Sequence, residues 1–210
     1  MTLVKVCGIR RIEDIEFLNK LLPDYAGFVF CKSKRKVTPN EAGDLIKRLD
    51  SRIKKVGVFN DNDFEEVVHT AENLKLDIVQ LHGSEDEKYV KNLYRFKIWK
   101  TVNVDVSHVS KINIQDEIYD ICSWNVEAVL LDSSVKGKSG GTGINFNWNV
   151  LKDLDINKKL VLAGGLNSKN IIEAIKIVTP DVVDVSGGVE ENEIKSFEKM
   201  KNFIQKVRNL

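Results

Sequence analysis

Three side chains in this sequence are placed to do chemistry: a thiol, a carboxyl and a guanidinium. Cys7 sits in Lys5-Val6-Cys7-Gly8-Ile9, where a short strand-like run meets a glycine. A thiol acts as a base or nucleophile only as thiolate, so its pKa must fall from about 8.5, through a nearby cation or helix dipole. Asp132 ends the run Val129-Leu130-Leu131-Asp132. A carboxyl in apolar surroundings can keep its proton and serve as a general acid. Arg35, in Lys32-Ser33-Lys34-Arg35-Lys36, offers a planar fork for a carboxylate. His82, in Val79-Gln80-Leu81-His82-Gly83, is either a ligand contact or a packed ring. Each also has a plainer reading: Cys7 as core packing, Asp132 as a turn cap, Arg35 as part of a solvated basic loop.

Glycine clusters supply a second kind of chemistry. Gly164-Gly165 and Ser186-Gly187-Gly188 each follow a strand-like run. Backbone N–H groups at such turns can hold a phosphate without a lysine. The segment Asp132–Gly143 reads D-S-S-V-K-G-K-S-G-G-T-G. Its G-K-S fails as a P-loop, which needs a glycine where Asp132 stands and a helix beginning at the serine. Gly140, Gly141 and Gly143 would break that helix. The segment reads better as a loop folding over a ligand, with Gly141 and Gly143 available as phosphate contacts.

These residues need elements to hold them. Strand-like runs occur at Leu3–Cys7, Tyr25–Phe30, Lys55–Phe59, Asp77–Leu81, Lys97–Val102, Ala128–Leu131, Lys159–Leu162 and Val182–Val185. They are short and rich in Val, Ile and Leu, as in parallel strands buried on both faces. Helical patterns alternate with them. Phe64, Val67, Val68, Ala71 and Leu74 share one face, as do Ile171, Ile172, Ile175 and Val178. Ile194, Phe197, Met200, Phe203, Ile204 and Val207 form a last stripe. Thr38-Pro39-Asn40-Glu41 and Ser84-Glu85-Asp86-Glu87 read as capping boxes. A fifth helix is expected near Ser107–Cys122 and a sixth capped by Asn147. Eight strands alternating with eight helices predict one α/β domain over residues 1–210, a (β/α)8 TIM barrel. The barrel puts Cys7, Asp132, His82 and both glycine clusters at the C-terminal strand ends, where such barrels carry their sites. An open doubly wound sheet is the other candidate. It usually carries G-x-G-x-x-G after its first strand, where this chain has a single glycine.

Composition excludes several classes. Of 210 residues, 42% are hydrophobic and 30% charged, with a formal net charge of +1. Such a balance gives no electrostatic reason to bind nucleic acid or an anionic membrane. No apolar run approaches the ~20 residues of a membrane span. Cys7, Cys31 and Cys122 are far apart and show no C-x-x-C spacing, so neither a disulfide framework nor a zinc knuckle is expected. The strand-like start argues against a signal peptide, and a reducing cytoplasm is the expected location. His69 and His108 read as helix-surface residues. No grouping of His, Asp and Glu predicts a metal, and no cofactor is expected.

The ordered motifs resemble the phosphoribosylanthranilate isomerase family over essentially the whole chain. They are Lys5-Val6-Cys7-Gly8-Ile9, Gly27-Phe28-Val29-Phe30, Ser33-Lys34-Arg35, Val56-Gly57-Val58-Phe59, Val79-Gln80-Leu81-His82-Gly83, Leu130-Leu131-Asp132-Ser133, Gly140-Gly141-Thr142-Gly143, Gly164-Gly165-Leu166, and Val183-Asp184-Val185-Ser186 through Gly188-Val189-Glu190. The resemblance implies an Amadori rearrangement in tryptophan biosynthesis, with Cys7 as general base and Asp132 as general acid. It implies that Arg35 meets the anthranilate carboxylate, that Gly165, Ser186 and Gly187 meet the phosphate, and that Asp184 is a supporting polar residue inside the barrel. The expected partner is a small phosphoribosyl substrate, and monomer and homodimer both stay open. Two departures stand out: Gly187 where the family usually has a second serine, and Ile194-Lys195-Ser196 where it has Gly-Lys-Asp. The alternatives are the related histidine-pathway isomerase, which resembles a two-aspartate catalyst, and a non-catalytic phosphate-ligand binding barrel.

Overall fold

A computed structural model describes residues 1–104, 111–132 and 148–210, without the side chains of residues 111–113. Eight parallel strands close into a barrel in chain order: β1 (Leu3–Cys7), β2 (Tyr25–Val29), β3 (Lys54–Phe59), β4 (Ile78–Leu81), β5 (Ile98–Asn103), β6 (Ala128–Asp132), β7 (Lys159–Ala163) and β8 (Val182–Val185). The strand bounds fall within a residue of those predicted. Around the ring lie α1 (Ile12–Leu21), α2 (Pro39–Ile46), α3 (Phe64–Asn73), α4 (Glu87–Asn92), α5 (Lys111–Ser123), α6 (Ile171–Val178) and α7 (Phe197–Arg208).

The helix expectation needs correction. Between β6 and β7 the described residues hold a 3-10 turn, Trp148–Leu151, and no α-helix. Asn147, its expected cap, lies outside the described residues, as do Ser107 and His108. The second capping box is also displaced. Asp86 caps α4 by accepting from the Tyr89 N–H at 2.8 Å, and Ser84 lies in the turn before it. Ile194 is not on the last helix. It belongs to a small antiparallel hairpin, β9 (Glu190–Glu191) with β10 (Ile194–Lys195), and it is exposed. Ile172 faces solvent, and Ala174 takes its place on the buried stripe of α6. The Thr38 box forms as read: Thr38 accepts from the Glu41 N–H, and Glu41 accepts from the Thr38 N–H.

Alternation along each strand builds two cores. Val4, Val6, Phe28, Val79 and Leu131 face outward and pack beneath the helices. Tyr25, Val56, Ile78, Trp99, Leu130 and Val161 fill the inside, with the Tyr25 and Trp99 rings edge to face at 5.0 Å. A smaller cluster of Cys7, Val29 and Val58 lies above it. At the opposite rim one device recurs. Asp24, Asp77 and Asp181 each precede a strand and accept from the N–H of Val4, Lys55 and Leu160 on the neighbouring strand. These bonds tie neighbouring strands together at that rim.

One ion pair steadies the loops after β3 and β4. Lys100 of β5 donates to Glu85 at 2.9 Å and to the Gly83 carbonyl at 2.6 Å, with both side chains at most 4% exposed. Glu85 in turn accepts from the N–H groups of Asp61 and Gly83. Gly83 must be glycine, because a Cβ there would sit 2.4 Å from Asp61 Oδ1. Removing one partner of a buried pair typically costs about 3–5 kcal/mol. Lys100→Met should therefore lower unfolding stability by about 3 kcal/mol or more in urea denaturation. A loss below about 1 kcal/mol, the scale of an exposed pair, would show that the pair is not structural.

Candidate active site

The upper rim of the barrel gathers most of the residues singled out from the sequence. Cys7 ends β1 and is 8% exposed. Room for its thiol comes from Gly27, its register partner on β2. A Cβ on Gly27 would lie 2.8 Å from Cys7 Sγ and 3.1 Å from Cys7 Cα. Burial pushes the Cys7 thiol above its ordinary pKa, and the Asp184 charge adds to this. The charges of Lys5 and Lys195 pull the other way.

Lys5 is the cation that the sequence reading passed over. It faces the barrel interior two residues before Cys7, and its side chain is fully buried. It meets its register partner Asp184 across the β1–β8 seam at 2.6 Å. Burial alone would lower the Lys5 pKa. The charges of Asp184 and Cys7 outweigh burial and raise it. Asp184 Oδ1 and Gln80 Oε1 are buried inside the barrel with no hydrogen-bond partner among the described residues.

Asp132 ends β6, and His82 follows β4. The order of strands refines the geometry: β6 stands three strands from β1 by way of β8 and β7, and it is β5 that stands opposite. His82 Nε2 is 3.4 Å from Asp132 Oδ2. The Gln80 amide at 3.3 Å and the Thr101 hydroxyl at 3.2 Å lie against the other ring nitrogen, Nδ1. Both ring nitrogens of His82 thus meet polar groups, Asp132 at Nε2 and Gln80 and Thr101 at Nδ1. The sequence placed His82 and Asp132 separately; the fold pairs them.

Arg35 reaches the same rim but is not an open fork. Its Nε and Nη2 each donate to Glu190 at 2.7 Å. Its stem crosses Gly8, where a Cβ would lie 2.3 Å from Arg35 Cδ and φ is +83°. Lys195, 4% exposed, donates to Glu190 at 2.8 Å and to the Ser186 carbonyl at 3.1 Å. Burial would raise the Glu190 carboxyl; the bonds and charges of Arg35 and Lys195 outweigh it and hold it at about 2. Lys195 thus joins the Arg35–Glu190 cluster at the rim.

The two glycine turns touch. Gly188 allows this, since a Cβ there would lie 1.9 Å from the Leu166 carbonyl oxygen. Gly164 and Gly165 take φ of +90° and +62°, in the left-handed region. Asn167 and Asn170 both donate to the Gly165 carbonyl at 3.1 Å and hold the turn. Gly187 lies under Arg35, 3.4 Å from a Cβ position to Nη2. Ser186 donates to the Cys7 carbonyl at 2.9 Å. Gly141, Gly143 and the expected covering loop lie outside the described residues. No cluster of His, Cys, Asp and Glu suited to a metal ion occurs among the described residues. None of the described helices is long and apolar enough to cross a membrane.

Gly27 makes the thiol's position testable. Overpacking by one methyl costs about 1–3 kcal/mol. Gly27→Ala should displace Cys7 Sγ and lower kcat more than ten-fold, roughly the loss that 1.4 kcal/mol represents, while the protein stays folded. Wild-type kcat in that variant would mean that the thiol's place does not matter.

Comparison with known proteins agrees with this geometry. The family model described as N-(5'phosphoribosyl)anthranilate (PRA) isomerase matches residues 4–206. The chain is 45% identical over 210 residues, and over all of both chains, to the N-(5'-phosphoribosyl)anthranilate isomerase of Thermoanaerobacter pseudethanolicus. A crystal structure of phosphoribosyl anthranilate isomerase from Thermotoga maritima superposes with a TM-score of 0.88 at 32% identity, covering both chains fully. A second, in complex with reduced 1-(o-carboxyphenylamino)-1-deoxyribulose 5-phosphate, gives 0.84 at 32%, again over the whole of both chains. The chain belongs to the N-(5'-phosphoribosyl)anthranilate isomerase family of aldose–ketose isomerases.

Proposed function

We propose that this chain, as one barrel domain, converts N-(5-phosphoribosyl)anthranilate to 1-(2-carboxyphenylamino)-1-deoxyribulose 5-phosphate, a step of tryptophan biosynthesis, with Cys7 as base and Asp132 as acid. The observation that carries this reading is the shared rim. A thiol beside buried ammonium groups and a carboxyl beside a histidine end two strands of one barrel. Asp132 gives its proton to the furanose ring oxygen, and the ring opens to an iminium. The Cys7 thiolate takes the proton from C2, and the resulting enolamine tautomerises to the ketone. His82, 3.4 Å from Asp132, holds that carboxyl at the rim.

The remaining groups hold the substrate. The touching glycine turns after β7 and β8 offer main-chain donors to the phosphate from Gly164, Gly165, Ser186, Gly187 and Gly188. Asp184, holding the Lys5 ammonium group inside the barrel, is a supporting polar residue beneath the substrate. Arg35 answers the anthranilate carboxylate.

The test is turnover followed by the loss of anthranilate fluorescence. Purified protein should convert the substrate, and a binding barrel would not. Asp132→Asn keeps the shape but removes the transferable proton, so kcat should fall by roughly 10²–10⁴ with KM little changed. A rise in KM alone would make Asp132 a binding residue and move the acid elsewhere.

A further inference from the structure

The Arg35–Glu190 contact poses a problem. An arginine proposed to bind a carboxylate already holds one, at 2.7 Å on two nitrogens. Glu190 either competes with the substrate or prepares the arginine for it, and geometry and charge decide between these. A guanidinium presents five N–H donors in one plane, along more than one edge. Glu190 occupies the Nε–Nη2 side edge and leaves the Nη1–Nη2 end edge for a second carboxylate. Charge favours that second anion. Lys195 bonds the same carboxylate at 2.8 Å, so Arg35, Glu190 and Lys195 together carry one net positive charge. Without Lys195, Arg35 and Glu190 would cancel.

The hairpin is built to deliver these two residues. Glu190 and Lys195 are register partners across β9 and β10, so their side chains emerge on one face. Both are buried, at 7% and 2% side-chain exposure. Arg35 arrives from a loop 155 residues earlier in the chain. Lys195 also bonds Ser186, which begins the glycine turn after β8 and is tied to the Cys7 carbonyl. A second, exposed pair, Lys34 with Glu193 at 2.6 Å, ties the Arg35 loop to the hairpin tip. Arg10 joins them by donating to the carbonyls of Lys34 and Glu193.

We propose that Glu190 and Lys195 are positioning residues for carboxylate recognition: Glu190 fixes the Arg35 fork, and Lys195 neutralises Glu190 so that the fork stays attractive to the substrate's aryl carboxylate. The proposal rests on the reading of Arg35 given above. It assigns specificity to the hairpin.

Calorimetric titration with two ligands tests it. One is the reduced product analogue bearing the o-carboxyphenyl group; the other is its phenyl counterpart without the carboxylate. Wild-type protein should prefer the first by about ten-fold or more, the value of one charge-assisted hydrogen bond. Arg35→Met should abolish the preference. Glu190→Gln, which keeps the size of the side chain, should remove most of it while the phenyl ligand binds as before. In the Arg35→Met background, Glu190→Gln should change the preference by less than about two-fold, because the two residues act as one unit. Lys195→Met, a second variant, should also reduce the preference. A Glu190→Gln protein that keeps the full preference, or that loses affinity for both ligands equally, overturns the proposal. If Arg35→Met itself keeps the preference, the Arg35 reading fails first.

Discussion

The site depends on one buried ion pair, Lys5 with Asp184, at the seam where the barrel closes. The two are register partners on the first and last strands, 2.6 Å apart and almost wholly inside the protein. Neither charge could be buried there alone without several kcal/mol of desolvation penalty. Closing the barrel in this register pairs the two charges, and a slip of one residue would turn Lys5 outward into the helix layer. Such a pair adds little net stability over a well-packed apolar one. Its consequence is electrostatic: it stations an ammonium group inside an apolar barrel, two residues from a thiol whose pKa burial raises and that ammonium group opposes.

Close approach of backbone does the rest. Gly27 opens the space that the Cys7 thiol fills, and Gly8 lets the Arg35 stem cross the rim. Gly188 lets the turn after β8 press against the one after β7. These three positions draw Cys7, Arg35 and the two glycine turns together around the β7–β8–β1–β2 arc. Asp132 and His82 face that arc from the β4–β6 side, held by the Gln80 and Thr101 contacts and the Lys100–Glu85 anchor. On the proposed reading, one side of the rim holds anions and the other donates the proton, an arrangement suited to a phosphorylated sugar whose ring must open between them.

Much of this was legible locally. Strand bounds followed from short β-branched runs, and the Thr38 cap from four adjacent residues, because backbone conformation is decided over such lengths. Cys7, Asp132 and the glycine turns stood out by lying at strand ends. What the sequence hid were partners. Lys5 finds Asp184 across 179 residues, Arg35 finds Glu190 across 155, and neither pairing leaves a local pattern. One signal was present for Lys5: a lysine among valines, in phase with Cys7 on the inner face of the strand. Ile194 continues the apolar spacing of α7, while Glu190 and Ser186 bind its neighbour Lys195 and draw both into a hairpin instead.

The central claim is that the Cys7 thiolate removes the C2 proton. Single-turnover decay of substrate fluorescence, followed against pH, tests it most directly. The base must be deprotonated, and burial raises the Cys7 pKa against the opposing charges of Lys5 and Lys195. The wild-type rate should therefore climb as pH rises through an ionisation above that of an ordinary thiol. In Cys7→Ala that alkaline limb should vanish and the rate fall by roughly 10²–10⁴, with the reduced product analogue still bound. A Cys7→Ala protein that keeps both the rate and the limb would return Cys7 to core packing and leave the reaction to another base.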